Sequence, residues 1–470
     1  HLSIRRQRQM CIRDSLLVVE LRSTPFRPGG GDPRNLGVAL DRVTIVQSYG
    51  VQGFVVPTAA LLLVGAILFL YLGLRRAGLG FLPAAVASSL LGLVVWAALR
   101  GTGRLFSTGY AGSLFLAFAL AYPVLLLTLW IAGAWLKRSH CPPGPAERRW
   151  LALLCYLAFV LYFAGALSPR FSAHDGLFHV HRLESIELGD LLMPHVSAEW
   201  GRDPYPGAFY LLTAPLSVVS PDGHRVLAFI VAWMNSTAPF LVWFLARQVL
   251  DSRTSRWASL LYLVFPIGSA AYWAGIYSNL FAYWLLLLVA AAVAMALQGA
   301  LSTSLLLWVP LFAMSFLSHV GMLVLWVPLA LFWAIILWRQ GNPVWRARLR
   351  RLLLAWAIAL ALAFLLYYSY FLGTMSEGAL ALFQERVAVE GQAAASMVQS
   401  RIAALRVWWR WGAVVDYAGF GLFLGVLGLL GWPARGRRTP VGGLFPLMLL
   451  LVVPFWVVSR LTFVTARYML

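Results

Sequence analysis

Between Ser168 and Pro206 the chain gathers six of its seventeen acidic residues, in the only long polar interruption between its fourth and fifth hydrophobic spans. The stretch opens His174-Asp175-Gly176-Leu177-Phe178-His179-Val180-His181-Arg182, a dense run in which acid, imidazole and guanidinium occur together. In a helix running from Ala173 to Leu188, positions i, i+4 and i+7 differ by only tens of degrees, so Asp175, His179 and Arg182 share one stripe. A carboxylate, an imidazole and a guanidinium that point the same way allow three roles. Asp175 can serve as general base on an acceptor hydroxyl, Asp175 and His179 can ligate a divalent metal such as Mg or Mn, or Arg182 can clamp a phosphate. The plain alternative is a surface helix with solvated charges held by an i, i+4 contact, and spacing alone does not separate these.

The elements that must position these residues are membrane spans. With 61% hydrophobic and 11% charged residues, 21 Trp and a mean hydropathy of +0.78, the chain cannot keep its surface wet as a soluble globule. About 20 apolar residues cross a hydrocarbon core, which predicts an all-α polytopic protein of about twelve helices. Those spans lie near 53–74, 79–99, 110–136, 149–167, 224–246, 257–274, 280–298, 304–319, 322–338, 352–373, 411–432 and 440–459. Gly207 to Ser220, with Tyr210 and Pro215, is too short to cross and reads as re-entrant or surface-lying.

The net charge of +20 is topogenic. With Ser168–Pro206 placed outside, the inner connections hold seventeen Arg or Lys against Glu147 and Asp251, whereas the outer ones beyond residue 52 hold twelve Arg against eleven acids. That is the positive-inside asymmetry, and it puts the acidic loop on the extracytoplasmic side of a cell membrane. The basic loops are short and carry no nucleic-acid-binding motif, so a nucleic-acid partner is not expected. Cys11, Cys141 and Cys155 have neither zinc spacing nor a disulfide pattern.

Residues 1–15 resemble translated sequencing-adapter read-through and are expected to be non-native; 16–52 form a polar N-terminal segment. The basic, Pro-rich link Lys137–Arg149 closes a three-helix module over 53–149. A membrane domain over 150–470 follows, its natural C-terminus expected beyond Leu470. It holds the outer loop 168–206 and a second outer loop, 374–410, in which an Ala-rich amphipathic helix meets Trp408-Trp409-Arg410-Trp411.

Further candidates are secondary. Asp203, beside Tyr205, can reach the Asp175 site through a turn, and His319 ends an apolar span on the same side. Arg401, Arg406 and Arg410 are weaker candidates for a lipid phosphate, against snorkelling to headgroups as the bland reading. Asp416, one turn inside the outer surface, is either functional or part of an ion pair. Glu184 and Glu187 lie off the Asp175 stripe and read as solvated.

The order of residues resembles a known family. His174-Asp175-Gly176-Leu177-Phe178-His179 with Arg182 is followed by Met193-Pro194, Trp200-Gly201, Tyr205-Pro206-Gly207-Ala208-Phe209-Tyr210 and Ala214-Pro215-Leu216. This is similar to the first extracytoplasmic loop of integral-membrane GT-C glycosyltransferases and their prokaryotic relatives, which use polyprenyl-phosphate sugars. Ala271 to Leu280 resembles their aromatic Gly-Tyr turn, Leu317-Ser318-His319 a later outer turn, and Arg467-Tyr468 a common Arg-Tyr pair. The resemblance covers about Trp150 to Leu470. It implies a GT-C core with juxtamembrane helices, a catalytic or metal-binding role for Asp175, and a phosphate-binding role for Arg467. The chain departs from the family in having no Asp-x-Asp and no acid in Gly275–Asn279.

The expected function is inverting transfer of a hexose or pentose from a polyprenyl-phosphate donor to an acceptor at the extracytoplasmic face. The expected partners are the lipid-linked donor and membrane lipids. A lipid-linked glycan polymerase or ligase is the alternative, with the Thr374–Arg410 loop decisive. A transporter or a non-catalytic membrane scaffold is the second alternative, and a transporter would need ionisable groups near the midplane.

Overall fold

The computed structural model of the protein describes residues 58–100, 104–139, 142–168, 175–192, 195–197, 201–203, 205–248, 250–264, 271–273, 275–320, 342–373 and scattered positions between 322 and 338. The expectations for residues 1–57 and 374–470 lie outside them, and with these the second outer loop and the spans 411–432 and 440–459.

The described chain is overwhelmingly helical. Its helices are α1 (Thr58–Arg76), α2 (Phe81–Arg100), α3 (Arg104–Leu136), α4 (Pro145–Ala166), α5 (Gly176–Glu187) and α6 (Ala208–Thr213). There follow α7 (Gly223–Arg247), α8 (Ser252–Val264), α9 (Tyr277–Gln298), α10 (Leu305–Phe316) and α11 (Pro343–Leu366). Local signals set their ends. Pro145 opens α4 while Glu147 turns back to accept from the Gly144 N–H at 3.0 Å. Asp222 caps α7 through the Arg225 N–H, and Asn342 caps α11 through the N–H groups of Val344 and Trp345. At Gly299 the backbone turns left-handed (φ 85°), and Gly299 and Ala300 donate to Ala296 and Met295, closing α9.

Among the described residues five helices are long and apolar enough to cross a membrane: Tyr110–Leu136, Pro145–Ala166, Gly223–Arg247, Tyr277–Gln298 and Pro343–Leu366. Their outward surface is that of a chain dissolved in lipid. α2 leaves Leu82, Val86, Leu90, Leu93 and Val94 exposed, and α11 leaves Leu354, Leu362, Leu365 and Leu366 exposed. The protein is therefore a multi-pass helical membrane protein. The segment read as too short to cross is α6 followed by a 3-10 turn, Ala214–Val218, and spans no bilayer at a rise of about 1.5 Å per residue.

One element departs from the all-α expectation. His195–Ser197 (β1) and Gly201–Asp203 (β2) pair antiparallel, with His195 opposite Asp203. Strands of three residues are too short to display an alternating pattern, so the sequence leaves no mark of them beyond the Trp200-Gly201 turn.

Packing in the bundle relies on small residues and interhelical hydroxyl contacts. α11 turns Ala355, Ala359 and Ala363, each fully buried, toward the bundle, which lets it pack closely on α10. The Trp284 Nε1 of α9 donates to Thr237 of α7 at 2.8 Å, and Trp233 of α7 donates to Thr128 of α3 at 3.3 Å. Each such bond contributes about 0.6 kcal/mol inside a bilayer.

The helix ends form two groups. At one end Glu147 accepts from Ser252 at 2.6 Å and lies 3.6 Å from Arg247; Gln298 donates to Gln248, and Arg348 donates to the Leu297 carbonyl. At the other end Ala208 donates to the Leu317 carbonyl and Tyr368 to the Phe316 carbonyl. The α5–α6 region sits at this second end, on the N-terminus of α9.

Candidate functional site

Helix α5 begins where Asp175 leaves the helical line. Asp175 is its N-cap, half-buried, with a side chain that makes no capping bond and a carbonyl that accepts from His179 N–H. The expected helix thus starts three residues late, at Gly176, and Asp175 stands at its mouth rather than within it. His174 lies outside the described residues. Gly176, His179, Arg182, Leu183 and Ile186 form the buried face, whereas Leu177, His181, Glu184 and Glu187 face outward. The exposed pair His181–Glu184, 3.1 Å apart, behaves as a solvated surface contact worth little.

His179 and Arg182 are the unusual members of that face, 1% and 4% exposed. Nδ1 of His179 lies 2.6 Å from the Tyr210 hydroxyl, and Nε2 accepts from the Tyr277 N–H at 3.4 Å. The imidazole thus ties α5 to α6 and to the first residue of α9. Both imidazole nitrogens are engaged, and among the described residues no group of three His, Cys, Asp or Glu comes together that could hold a metal ion.

Arg182 donates to the Tyr205 carbonyl at 3.0 Å, and its buried Nε has no hydrogen-bond partner among the described residues. No described carboxylate lies in ion-pair range of its guanidinium. A buried cation is costly unless an anion or a full set of acceptors meets it.

Tyr205 joins the pieces. Its hydroxyl is 2.6 Å from the Ser278 hydroxyl on α9, its ring meets Phe178 edge-on at 5.0 Å, and His319 lies 6.5 Å away, ring to ring. Burial pushes the Tyr205 phenol up to about 12; the Ser278 bond pulls it back, the Asp175 charge adds to the rise and the Arg182 charge opposes it. Tyr210, enclosed beside Tyr205, is raised well above its ordinary value by burial, with Arg182 again opposing. Both phenols therefore stay neutral and serve as hydrogen-bonding groups rather than bases. Tyr367, just past α11, is likewise raised by burial and lowered by the Arg182 charge, which brings the α11 end to the same place.

Behind this cluster α4 is seated by Gly165, where a Cβ would run into the Trp273 ring of the aromatic turn before α9. The structure thus gathers Asp175, His179, Arg182 and His319. Asp203 lies in β2, two residues before Tyr205. Arg401, Arg406, Arg410, Asp416 and Arg467 are outside the described residues. Sequence reasoning did not single out Tyr205, Tyr210 and Ser278 as site residues. Their signal was a repeated aromatic-plus-Gly-or-Ser turn with no charge in it, which reads equally as packing.

Together these features define a polytopic helical membrane protein with a buried, aromatic-walled polar cluster at one end of its bundle. No protein-family model matches the chain, and neither the curated proteins nor the solved structures yield a match.

Proposed function

We propose that the chain is an integral-membrane glycosyltransferase of the GT-C kind, moving a sugar from a polyprenyl-phosphate donor to an acceptor at the extracytoplasmic face. The observation that carries this reading is Arg182: a guanidinium 4% exposed, with no described counter-ion and an unpartnered Nε, one helix face away from a half-buried carboxylate at the bundle's end. That is a site prepared for an anion beside a base. The twelve-span topology rests on the apolar run lengths and the outward orientation of this end on the distribution of Arg and Lys.

In the reaction the acceptor oxygen attacks the anomeric carbon as the bond from that carbon to the phosphate oxygen breaks. The acceptor proton passes to Asp175, and the departing polyprenyl phosphate carries its negative charge to Arg182. Tyr205, fixed through both its carbonyl and its hydroxyl, holds Arg182 in place. The neutral aromatic wall of Phe178, Tyr205 and Tyr210 excludes water, which strengthens the charge interaction.

The test is turnover by the full chain in lipid vesicles supplied with polyprenyl-phosphate sugars, read as release of polyprenyl phosphate. Asp175→Asn should abolish release while leaving the melting temperature unchanged, and Arg182→Lys should lower turnover by about tenfold to a hundredfold through loss of the planar donor fork. Wild-type turnover in Asp175→Asn removes the assignment.

A further inference from the structure

At the opposite end of the bundle a second arginine-lined feature has no part in this chemistry. A shallow concavity of about 410 Å³ is bounded by Pro343, Val344, Ala347, Arg348 and Arg351 on the first turns of α11. The Arg348 guanidinium is anchored by the Leu297 carbonyl at 2.6 Å, which spends one of its five donors and fixes the direction of the rest. Arg351 beside it is exposed. Arg346 and Arg350 lie over the Trp338 ring at 5.5 and 5.0 Å, and no acid occurs between Arg339 and Arg351 to neutralise the four.

We propose that this concavity binds the phosphate diester of an anionic phospholipid headgroup, clamped between Arg348 and Arg351. Three observations favour a lipid over a free phosphate. Pro343 is the first residue of a 24-residue helix apolar enough to cross the membrane, so the concavity sits where that helix meets the headgroup layer. Exposed Pro343, Val344 and Ala347 supply apolar surface in its lining for the glycerol and upper acyl carbons. Arginine matches phosphate oxygens with paired donors, and here one of the two arginines is preoriented by the protein itself.

The test uses the full chain, stripped of lipid in neutral detergent, with native mass spectrometry to count bound lipid. Phosphatidylglycerol, phosphatidylcholine and inorganic phosphate are titrated separately. Wild type should take one phosphatidylglycerol about tenfold more tightly than phosphatidylcholine, a preference of the size one well-placed charged contact gives. Arg351→Gln should erase that preference, and Arg348→Gln should do the same, with a melting curve recorded because Arg348 also anchors α11 to α9. Arg253→Gln removes an equal exposed charge at the same end and should leave the preference intact. Equal losses in Arg351→Gln and Arg253→Gln would mean diffuse attraction and overturn the site. Displacement of phosphatidylglycerol by an equal concentration of inorganic phosphate would mean a free-anion site and overturn the lipid. The measurement involves no turnover, so it stands or falls separately from the transferase reading.

Discussion

His319 sits at the turn after α10 with its ring near Tyr205, and desolvation lowers its imidazole from 6.5 to about 4. The unfolded chain therefore takes up a proton near pH 6.5 that the folded chain refuses until about pH 4. Because the unfolded state binds more protons in that window, the stability tied to His319 is complete above it, falls as the pH drops through it, and levels off below. Thermal unfolding in detergent should show a lower melting temperature at pH 5 than at pH 7.5, and His319→Gln should shrink that difference; an unchanged difference would disprove the assignment. Tyr205 offers a second check, since Tyr205→Phe removes the Ser278 bond but keeps the ring, costing about 1 kcal/mol in a melt. At this scale the sequence was partly legible. Period-3.6 spacing does put His179 and Arg182 on one face, but it cannot distinguish a solvated stripe from a buried one. Tyr205, Tyr210 and Ser278 stood in the resembling motifs without a site role, because a hydroxyl inside an apolar run carries no charge to mark it.

Among the elements, one readily tested local requirement lies at the end of α9. Gly299 needs a left-handed backbone, and a Cβ there would meet the Arg348 guanidinium at 2.6 Å. Gly299→Ala should therefore destabilise by about 1–2 kcal/mol, more than Asn342→Ala, which removes only the cap of α11 at about 1 kcal/mol. Melting temperatures of the two variants at one pH decide the order, and an unaffected Gly299→Ala would show that the Arg348 side chain simply moves aside. Helices were the readable elements because long apolar runs between basic links have few other folds in lipid. α4, α7 and α9 sit within a few residues of where hydropathy puts them; α3 starts early, and α11 both starts early and ends at Leu366, before a 3-10 turn over Tyr368–Phe371. The hairpin of β1 and β2 was not readable, since three residues per strand are fewer than a period-2 pattern needs to declare itself.

For the molecule as a whole, the charge asymmetry and the packing agree on which helix ends belong together. Glu147, Arg247 and Ser252 meet at one end, while α5, α6 and the start of α9 meet at the other. Which end faces out is tested by labelling. In a chain freed of Cys11, Cys141 and Cys155, His181→Cys should react with an impermeant maleimide in intact cells, whereas Arg253→Cys should react only after permeabilisation; the reverse pattern would invert the topology. Both positions are exposed, so reactivity reports the side rather than burial. The grouping of helix ends was legible in the sequence through the alternation of basic links, while the side each group faces is a reading of Arg and Lys counts alone. The sequence did not carry how the site closes, which depends on hydroxyl and carbonyl partners from helices far apart in the chain.

One further consequence follows from the way Tyr205 is held. Its carbonyl is bonded by Arg182 in α5 and its hydroxyl by Ser278 in α9, so a single residue sews the helix of the polar loop to the first turn of α9. A loop sewn in this way is no exchangeable cassette. Transplanting 168–206 onto another helical scaffold would keep the Arg182–Tyr205 bond, which lies wholly inside the segment, but would lose the Tyr205–Ser278 bond unless Ser278 travelled with it. The polar loop and the first turn of α9 would then be exchanged as a pair or not at all.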